Sequence, residues 1–197
     1  MKVVNLKIEG VTPLLVHKFS ERAESEVTTN IRGSSLGKER GTPKEQAESV
    51  AYRNKEKRLY IPASNLYRSL IEAGKFHKNG KKTVTTQKNS LVPAGVSLIG
   101  NEDLPLTPQD YEVDSRPVVI PSTGGRIMRH RPRWDKWSLS FSIIINEEIF
   151  TETFVRQLVD DAGQKIGLGD FRPDRKGLFG QFRVVHWNVK NPNGEKV

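Results

Sequence analysis

The amino-acid sequence predicts a domain of the α+β class, in which an antiparallel sheet of four strands carries two helices on one face. Two segments, residues 4–10 and 138–145, alternate apolar and polar side chains, which is typical of half-buried strands. Two others, residues 63–75 and 146–162, repeat apolar side chains at helical spacing. Without the segments between them, the chain of 197 residues reads strand, helix, strands, strand, helix, loop and strand.

The N-terminal strand is followed by a stretch with a break at Pro13, because proline donates no hydrogen bond to a sheet. Residues 20–58 then lose apolar periodicity, and a loop of that length is predicted to be an insertion into the domain. Within this insertion, Thr42 as N-cap and Pro43 in the first turn predict a short helix.

The first long helix is predicted at residues 63–75, after a short apolar step. Ser64 is the expected N-cap. One face of the helix carries three apolar side chains at helical spacing, Leu66, Leu70 and Ala73.

A second insertion is predicted at residues 77–133. Around its start the chain is basic, and no acidic residue occurs between Ala73 and Asn101. This stretch predicts an outer cationic wall that runs from Lys75 to Lys82 and includes Lys78, Lys81 and Lys82. A solvated basic surface without a ligand is the alternative. A broken strand is expected at residues 91–99.

A β-hairpin is predicted at the end of this insertion, because Gly124 and Gly125 separate two segments of strand character. The second arm, residues 126–137, contains four arginines that suit phosphate binding: Arg126, Arg129, Arg131 and Arg133. The alternative is a basic edge that discourages aggregation between sheets. Pro132 predicts that this arm is an edge strand or leaves the sheet, and its two tryptophans are expected in the core.

The second long helix is predicted to begin at residues 146–148 and to end near Ala162, with Gly163 closing it. A glycine-rich, basic loop follows at residues 166–182, and it suits a nucleic-acid strand. Its candidate contacts are Gly167, Gly169, Arg172, Arg175 and Lys176. Phe182 enters the last strand and is predicted to be core.

This order of elements is βαββαβ, the order of ferredoxin-like and RRM-like domains. The sequence therefore predicts a single RRM-like domain over residues 1–197 with two long insertions.

The composition favours nucleic acid as a partner. The formal net charge is +9, and lysine and arginine gain free energy by displacing counterions from phosphates. The sequence has no cysteine, which excludes disulfides and thiolate metal sites. No apolar run approaches the roughly 20 residues that span a bilayer, and the first residues open a strand instead of a signal peptide. A cytoplasmic protein without a membrane partner is predicted.

The sequence offers little for catalysis. Its four histidines lack the spacing of a metal site, and neither a metal nor another cofactor is predicted. His17, at the end of the first strand, is the candidate general base toward a ribose 2′-hydroxyl, and an ordinary surface or core histidine is the alternative. Asp160 and Asp161 are neighbours on a helix and do not face each other. Binding is therefore predicted over catalysis.

Three stretches resemble one family. Ile166-Gly167-Leu168-Gly169 with Gly177, between the second helix and the last strand, is similar to the glycine-rich loop of the RAMP superfamily of CRISPR-associated proteins. Residues 6–14 look like the first strand of that superfamily. Residues 61–70 look like the entry to its first helix, without the final arginine of the motif.

The resemblance implies a function. One RRM-like domain with large insertions is similar to the backbone subunit of CRISPR interference complexes, in which insertions form thumb-like and fingers-like elements that clamp RNA. It implies a non-catalytic protein that binds single-stranded guide RNA and forms a homo-oligomer along it. Complementary nucleic acid and other complex subunits are further implied partners.

Two other functions stay open at the level of the sequence. One is a metal-independent endoribonuclease that uses His17, although such members of the superfamily more often contain two RRM-like domains. The other is a basic module that binds an acidic protein. RNA and single-stranded DNA also stay open, because the distinction depends on contacts to the 2′-hydroxyl.

Overall fold

The computed structural model describes residues 1–18, 41–119 and 124–190, so the predicted insertion at 20–58 lies partly outside the described residues. In chain order, the elements are β1 (Lys2–Gly10), β2 (Leu14–Leu15), α1 (Pro43–Ser49), β3 (Tyr60–Pro62), α2 (Ala63–Ala73), β4 (Lys78–Asn79), β5 (Lys82–Thr83), α3 (Val92–Gly95), β6 (Val96–Ile99), β7 (Asp103–Pro105), β8 (Glu112–Val119), β9 (Arg126–Trp134), β10 (Ser138–Ile145), α4 (Glu152–Asp161) and β11 (Phe182–Lys190). Short 3₁₀ turns cover Gly74–Phe76 and Pro173–Arg175, and a π-helical turn covers Ala162–Ile166.

The main sheet has the strand order β11-β1-β10-β6, and every pair in it is antiparallel. The long helices α2 and α4 connect β1 to β6 and β10 to β11, and they pack against each other. This is the βαββαβ arrangement, and the predicted α+β fold class is confirmed. The edge strand β6 belongs to the range that the sequence predicts as the second insertion, residues 77–133.

The core lies between this sheet and the two long helices. The alternation read in the sequence is confirmed, because Leu139, Phe141, Ile143 and Ile145 of β10 are all buried. The helix faces that meet the sheet bury Leu66, Leu70 and Ala73 of α2 and Val155, Leu158 and Val159 of α4. Phe182 is also buried, as predicted.

Two helix boundaries differ from the prediction. The helix α4 begins at Glu152 instead of residues 146–148, because the Thr151 side chain caps it by accepting a hydrogen bond from the backbone of Phe154. Gly163 does not end the helix but lies in the π-helical turn. There a Cβ would be 2.1 Å from the carbonyl oxygen of Phe182, so glycine is needed for close packing.

Two further predictions need correction. Ser64 does not cap α2, since Pro62 occupies the N-cap position and the carbonyl of Glu102 accepts from the backbone N–H of Ala63. The broken strand predicted at residues 91–99 is a short helix, α3, followed by β6.

The second sheet has the order β2-β9-β8. The predicted hairpin is confirmed by the antiparallel pairing of β8 with β9, although residues 120–123 lie outside the described part of the chain. Trp134 and Trp137 are buried, as predicted.

The sequence predicts that the strand with Pro132 is an edge strand or leaves the sheet, but β9 is the middle strand of this sheet. The Pro132 carbonyl accepts from Val16, so the proline nitrogen is directed to the same side, where β2 is only two residues long. The missing N–H is therefore tolerated there.

The helix α1 begins as the sequence predicts. Thr42 and Glu45 form a reciprocal capping box, with Pro43 in the first turn. This helix packs on β8 and β9 and so supports the hairpin. Within the described part of the chain, no helix is long and apolar enough to cross a membrane.

Candidate nucleic-acid interface

A groove separates the β8–β9 hairpin from the glycine-rich loop. Its volume is about 420 Å³, and we call it the arginine groove. The hairpin wall contributes Arg116, Pro117, Val118, Arg129 and Arg131, and the opposite wall contributes Leu15, His17, Asp170 and Phe171. Three guanidinium groups thus lie around one concave surface, which attracts anions.

The alternation of strand β9 divides its four predicted contacts. Arg129, Arg131 and Arg133 lie two residues apart and share one face, whereas Arg126 lies on the opposite face. In the register of the hairpin, Arg116 is opposite Arg129, so both belong to the groove face. The structure therefore brings Arg129 and Arg131 together in the groove and separates Arg126 from them.

Arg131 is an internal residue. Its side chain is only 8% exposed, and its Nη1 donates to Asp170 Oδ2 over 2.5 Å. This ion pair connects strand β9 with the glycine-rich loop. The prediction of Arg131 as a ligand contact conflicts with this burial, because its guanidinium already has a carboxylate partner.

The other ion pairs of the hairpin centre on Asp114, a buried carboxylate. Arg116 donates to it over 2.8 Å, and Arg133 lies 3.7 Å away. Arg133 also donates to Asp135 over 2.7 Å, so it is held within the hairpin. Asp114 thereby fixes the direction of two arginines.

Arg116 was missed by the sequence interpretation. Its guanidinium lies 4.7 Å from the centre of the Phe179 ring, a cation–π contact between the hairpin and the glycine-rich loop. The strand alternation of β8 and the register set by the hairpin turn would have placed it opposite Arg129.

Arg129 differs from its neighbours. It is exposed, and among the described residues no acidic side chain forms an ion pair with it. Its side chain lines the arginine groove. Of the predicted hairpin arginines that reach the groove, Arg129 is therefore the one available for a ligand.

The glycines of the loop serve internal packing. Gly169 has a φ of 72°, and a Cβ there would lie 2.2 Å from the carbonyl oxygen of Leu15. That carbonyl also accepts from the backbone N–H of Asp170 over 2.7 Å. The backbone N–H of Gly167 is donated to Ala162 over 2.8 Å and is thus already paired. The loop is held tightly against the end of β2.

The three cations of the loop occupy different environments. Arg172 donates to the carbonyl of Gly169 over 3.0 Å and to Asp174 over 3.2 Å, so it closes the loop on itself. Arg175 is 71% exposed, at 3.7 Å from Asp174. Lys176 is exposed and has a left-handed backbone. Arg175 and Lys176 can therefore face a ligand, although neither lines the groove.

The lysines of the predicted outer wall lie elsewhere. Lys78 and Lys82 belong to the short β4–β5 hairpin, and Lys81 lies in its turn; all three are exposed. None of them lines the arginine groove. Lys75 forms an ion pair with Glu72 at the end of α2.

A second, smaller cavity of about 260 Å³ lies beside the groove, and we call it the small cleft. It lies between α2 and the first residues of the glycine-rich loop, and it is lined among others by Tyr52, Asn65, Arg68 and Ser69. The Ser69 hydroxyl donates to the carbonyl of Gly167 over 3.1 Å and holds the loop to the helix.

His17 lines both cavities, and so does Asp170. The side chain of His17 is exposed, yet the surrounding protein partly desolvates it. This desolvation, and then the positive charge of Arg129, lower the pKa of His17 below its ordinary value, while Asp170 opposes the shift. The imidazole is therefore neutral at neutral pH.

In the part of the chain that the structure describes, no three histidine, aspartate or glutamate side chains are grouped as metal ligands. The chemistry that the site offers is cationic, with one neutral imidazole.

Known proteins match this chain by structure but not by sequence. No protein-family model matches the sequence, and no curated protein matches it. Among solved structures, a chain of the type III-B Cmr-beta structure, determined by cryo-EM with cognate target RNA bound, matches with a TM-score of 0.52 at 13% sequence identity. The match covers 95% of this chain and 60% of that chain. This chain thus shares the fold of that protein and spans about three fifths of its length.

Proposed function

We propose that this protein binds single-stranded RNA and belongs to a CRISPR-type ribonucleoprotein complex. The observation that carries the proposal is the arginine groove, where Arg116 and Arg129 face a cavity with the glycine-rich loop on its other side. The structural relative was determined with cognate target RNA bound, which supports RNA as the ligand.

In the proposed complex, the β8–β9 hairpin and the glycine-rich loop contact different groups of the RNA. Arg129 binds phosphate, since a guanidinium group makes bidentate hydrogen bonds to phosphate oxygens. Arg116 donates to Asp114 through Nε, and its Nη groups add to the same phosphate-binding surface. Phe171, which is 43% exposed at the groove, offers a ring for base stacking. Arg175 and Lys176 add charge beside the groove. Because these contacts address the backbone, binding is largely independent of base sequence.

Assembly of several copies along RNA is the second part of the proposed function. A non-catalytic protein of this kind would bind guide RNA and form a homo-oligomer along it, as the backbone subunit of the RAMP superfamily does. The glycine-rich loop between α4 and β11 and the order of the main sheet support this assignment. Complementary nucleic acid and further subunits of the complex are the other proposed partners.

The salt dependence of RNA affinity tests the proposal. If the groove and loop neutralise about three phosphates, the affinity for a single strand should fall about 40-fold between about 50 and 300 mM salt. Fluorescence anisotropy with a labelled RNA of about 30 nucleotides measures this. An affinity that hardly changes over this range would contradict backbone binding.

A matched pair of variants locates the contact. Arg129→Gln removes an exposed groove cation and should reduce the salt slope by about 0.7, the contribution of one phosphate of a single strand. Arg126→Gln removes the same side chain from the opposite face of the same strand and should behave like the unchanged protein. Equal effects of the two substitutions would mean that the groove is not the binding face.

The endoribonuclease is the second candidate function, and the position of His17 favours it. A neutral imidazole that borders a cationic groove can accept a proton from a ribose 2′-hydroxyl. RNA cleavage in the presence of EDTA that disappears in His17→Ala would establish this function. RNA that stays intact during prolonged incubation would support the non-catalytic protein.

A further inference from the structure

The arginine groove and the small cleft meet at His17 and Asp170, which line both. The two cavities differ in chemistry. The groove presents Arg129 and Arg116, which suit phosphate. The small cleft, at about 260 Å³, is below the roughly 300–1,000 Å³ of pockets that hold a whole drug-sized ligand, so it suits a fragment such as one nucleobase.

The small cleft carries groups that can recognise a base. Asn65 is half-buried there, and its amide offers both hydrogen-bond donors and an acceptor. Tyr52 is half-buried on the same cleft and provides an aromatic ring. Unstacked bases of single-stranded RNA are commonly bound by such a ring and by hydrogen bonds to their edges.

His17 lies where a ribose would connect the two parts. It is exposed to solvent, and it is close enough to Arg129, Arg131 and Asp170 for their charges to act on its ring. A neutral imidazole has one donor and one acceptor, which matches a hydroxyl group that donates and accepts. A phosphate is better served by the guanidinium groups of the groove.

We propose that one unstacked ribonucleotide bridges the two cavities, with its phosphate at Arg129, its 2′-hydroxyl at His17 and its base in the small cleft. This inference rests on the proposed function and adds to it a residue that distinguishes RNA from DNA. The ligand is one nucleotide within a longer single strand, since the groove is also lined by Arg116 and Val118, which lie outside the small cleft.

The ribose contact is tested with two strands of about 30 nucleotides, oligouridylate and oligodeoxyuridylate, which differ only in the 2′-hydroxyl. The unchanged protein should bind the ribonucleotide strand about fivefold more tightly, the size expected for one hydrogen bond. His17→Ala should lower this ratio to about 1 by weakening RNA binding alone, and His17→Gln, which keeps a donor and an acceptor, should restore part of it. His186→Ala, an exposed histidine on β11, is the matched control and should keep the full ratio.

The base contact is tested with an RNA that contains 2-aminopurine, whose fluorescence changes when the base leaves its neighbours in the strand and enters a protein site. We expect a change on binding to the unchanged protein and a smaller change with Asn65→Leu. Asn188→Leu replaces another half-buried asparagine, on β11, and should give the full change.

The outcomes separate this inference from the proposed function. If the protein binds RNA with strong salt dependence but shows no preference for the ribonucleotide strand, or keeps it in His17→Ala, the ribose contact is wrong. If the fluorescence stays constant, the base contact is wrong. If salt-dependent RNA binding itself is absent, the proposed function fails as well.

Discussion

At the scale of single residues, the ion pair between Arg131 and Asp170 holds the two walls of the arginine groove together. Arg131 comes from strand β9 and is 8% exposed, whereas Asp170 comes from the glycine-rich loop and is 40% exposed. A buried guanidinium group without its carboxylate is costly, because the lost hydration is no longer compensated. The width of the groove therefore depends on this pair.

We predict that Asp170→Ala destabilises the fold by about 1–3 kcal/mol, because Arg131 loses its partner while it stays buried. Urea unfolding followed by circular dichroism measures this. Asp160→Ala is the control, since it breaks an exposed pair between Arg156 and Asp160 on α4 that is worth about 0.5 kcal/mol or less. Equal losses in both variants would show that Arg131 does not depend on Asp170.

His17 gives a prediction about pH. Its pKa is lowered in the folded protein by desolvation and by Arg129, so the unfolded chain binds the proton first as the pH falls. The stability that His17 contributes is complete above the ordinary histidine pKa of about 6.5 and is lost as the pH falls below it.

The test compares the unchanged protein with His17→Gln. Between about pH 7.5 and 5.5, the unchanged protein should lose more free energy of unfolding than the variant. Histidine at position 17 takes up a proton in this range, whereas glutamine does not. The NMR titration midpoint of His17 should lie below 6.5. A midpoint above that value, or equal losses in both proteins, would contradict the structure around His17.

The sequence predicts the chemical character of the site better than it predicts which residues form it. Four arginines on one arm and a basic loop indicate an anion-binding surface, but the pattern cannot show that Arg131 meets Asp170, which is 39 residues away along the chain. Arg116 was missed for the same reason, because its neighbour Phe179 belongs to a distant loop. Long-range contacts of this kind decide which cations are available for a ligand.

At the scale of elements, the glycine-rich loop is shaped by backbone contacts. The loop lies on the end of β2 through Gly169 and Asp170, and on the helix α2 through the Ser69 hydroxyl. Gly180 repeats the pattern, since a Cβ there would be 1.8 Å from the carbonyl oxygen of Leu168. The close approach of these backbones places Asp170 and Phe171 on the groove.

We predict that Gly169→Ala destabilises the protein more than Gly80→Ala does. Both glycines have a positive φ, 72° and 62°, so both substitutions add about 1–2 kcal/mol of backbone strain. Only Gly169 also faces a backbone oxygen, whereas Gly80 has nothing within 4 Å of an added Cβ. The collision should add about 1–3 kcal/mol, as overpacking does.

Urea unfolding of the two variants measures this difference. We also expect Gly169→Ala to weaken RNA binding, since the loop wall of the groove moves, while Gly80→Ala should bind RNA as the unchanged protein does. Equal stability of the two variants would show that the loop can move away from Leu15 at no cost.

Local sequence patterns predict whether a segment is a helix or a strand. The residues at which it begins and ends depend on tertiary contacts that these patterns do not show. The alternation of β10 and the helical spacing of Leu66 and Leu70 are visible in the sequence. The helix start at Glu152 is not, because the apolar period already includes Phe150, which stacks on Phe154 from outside the helix at a centroid distance of 4.5 Å. The π-helical turn at Ala162–Ile166 likewise reflects packing of Gly163 against Phe182.

At the scale of the whole molecule, the main sheet provides a frame from which the two groove walls project. Strand β1 leads into β2 and His17 on one side, and α4 leads into the glycine-rich loop on the same side. The second sheet then brings the β8–β9 hairpin against this edge, since β9 pairs with β2. The arginine groove is therefore assembled from three distant parts of the chain.

A groove that binds backbone phosphates can be occupied repeatedly along one strand. If the protein also forms a homo-oligomer along RNA, the number of bound copies should rise in equal steps with RNA length, because each copy covers a fixed number of nucleotides. Native mass spectrometry with single strands of about 15, 30 and 45 nucleotides counts the copies directly.

Two controls show whether the copies assemble on the RNA. Without RNA, the protein should remain in its smallest oligomeric state, because the RNA strand is what holds the copies together. Arg129→Gln should lower the number of copies on the longest strand, whereas Arg126→Gln should not, since only Arg129 lines the groove. A single copy on every length of RNA would contradict assembly along the strand and would leave a protein that binds RNA as an isolated subunit.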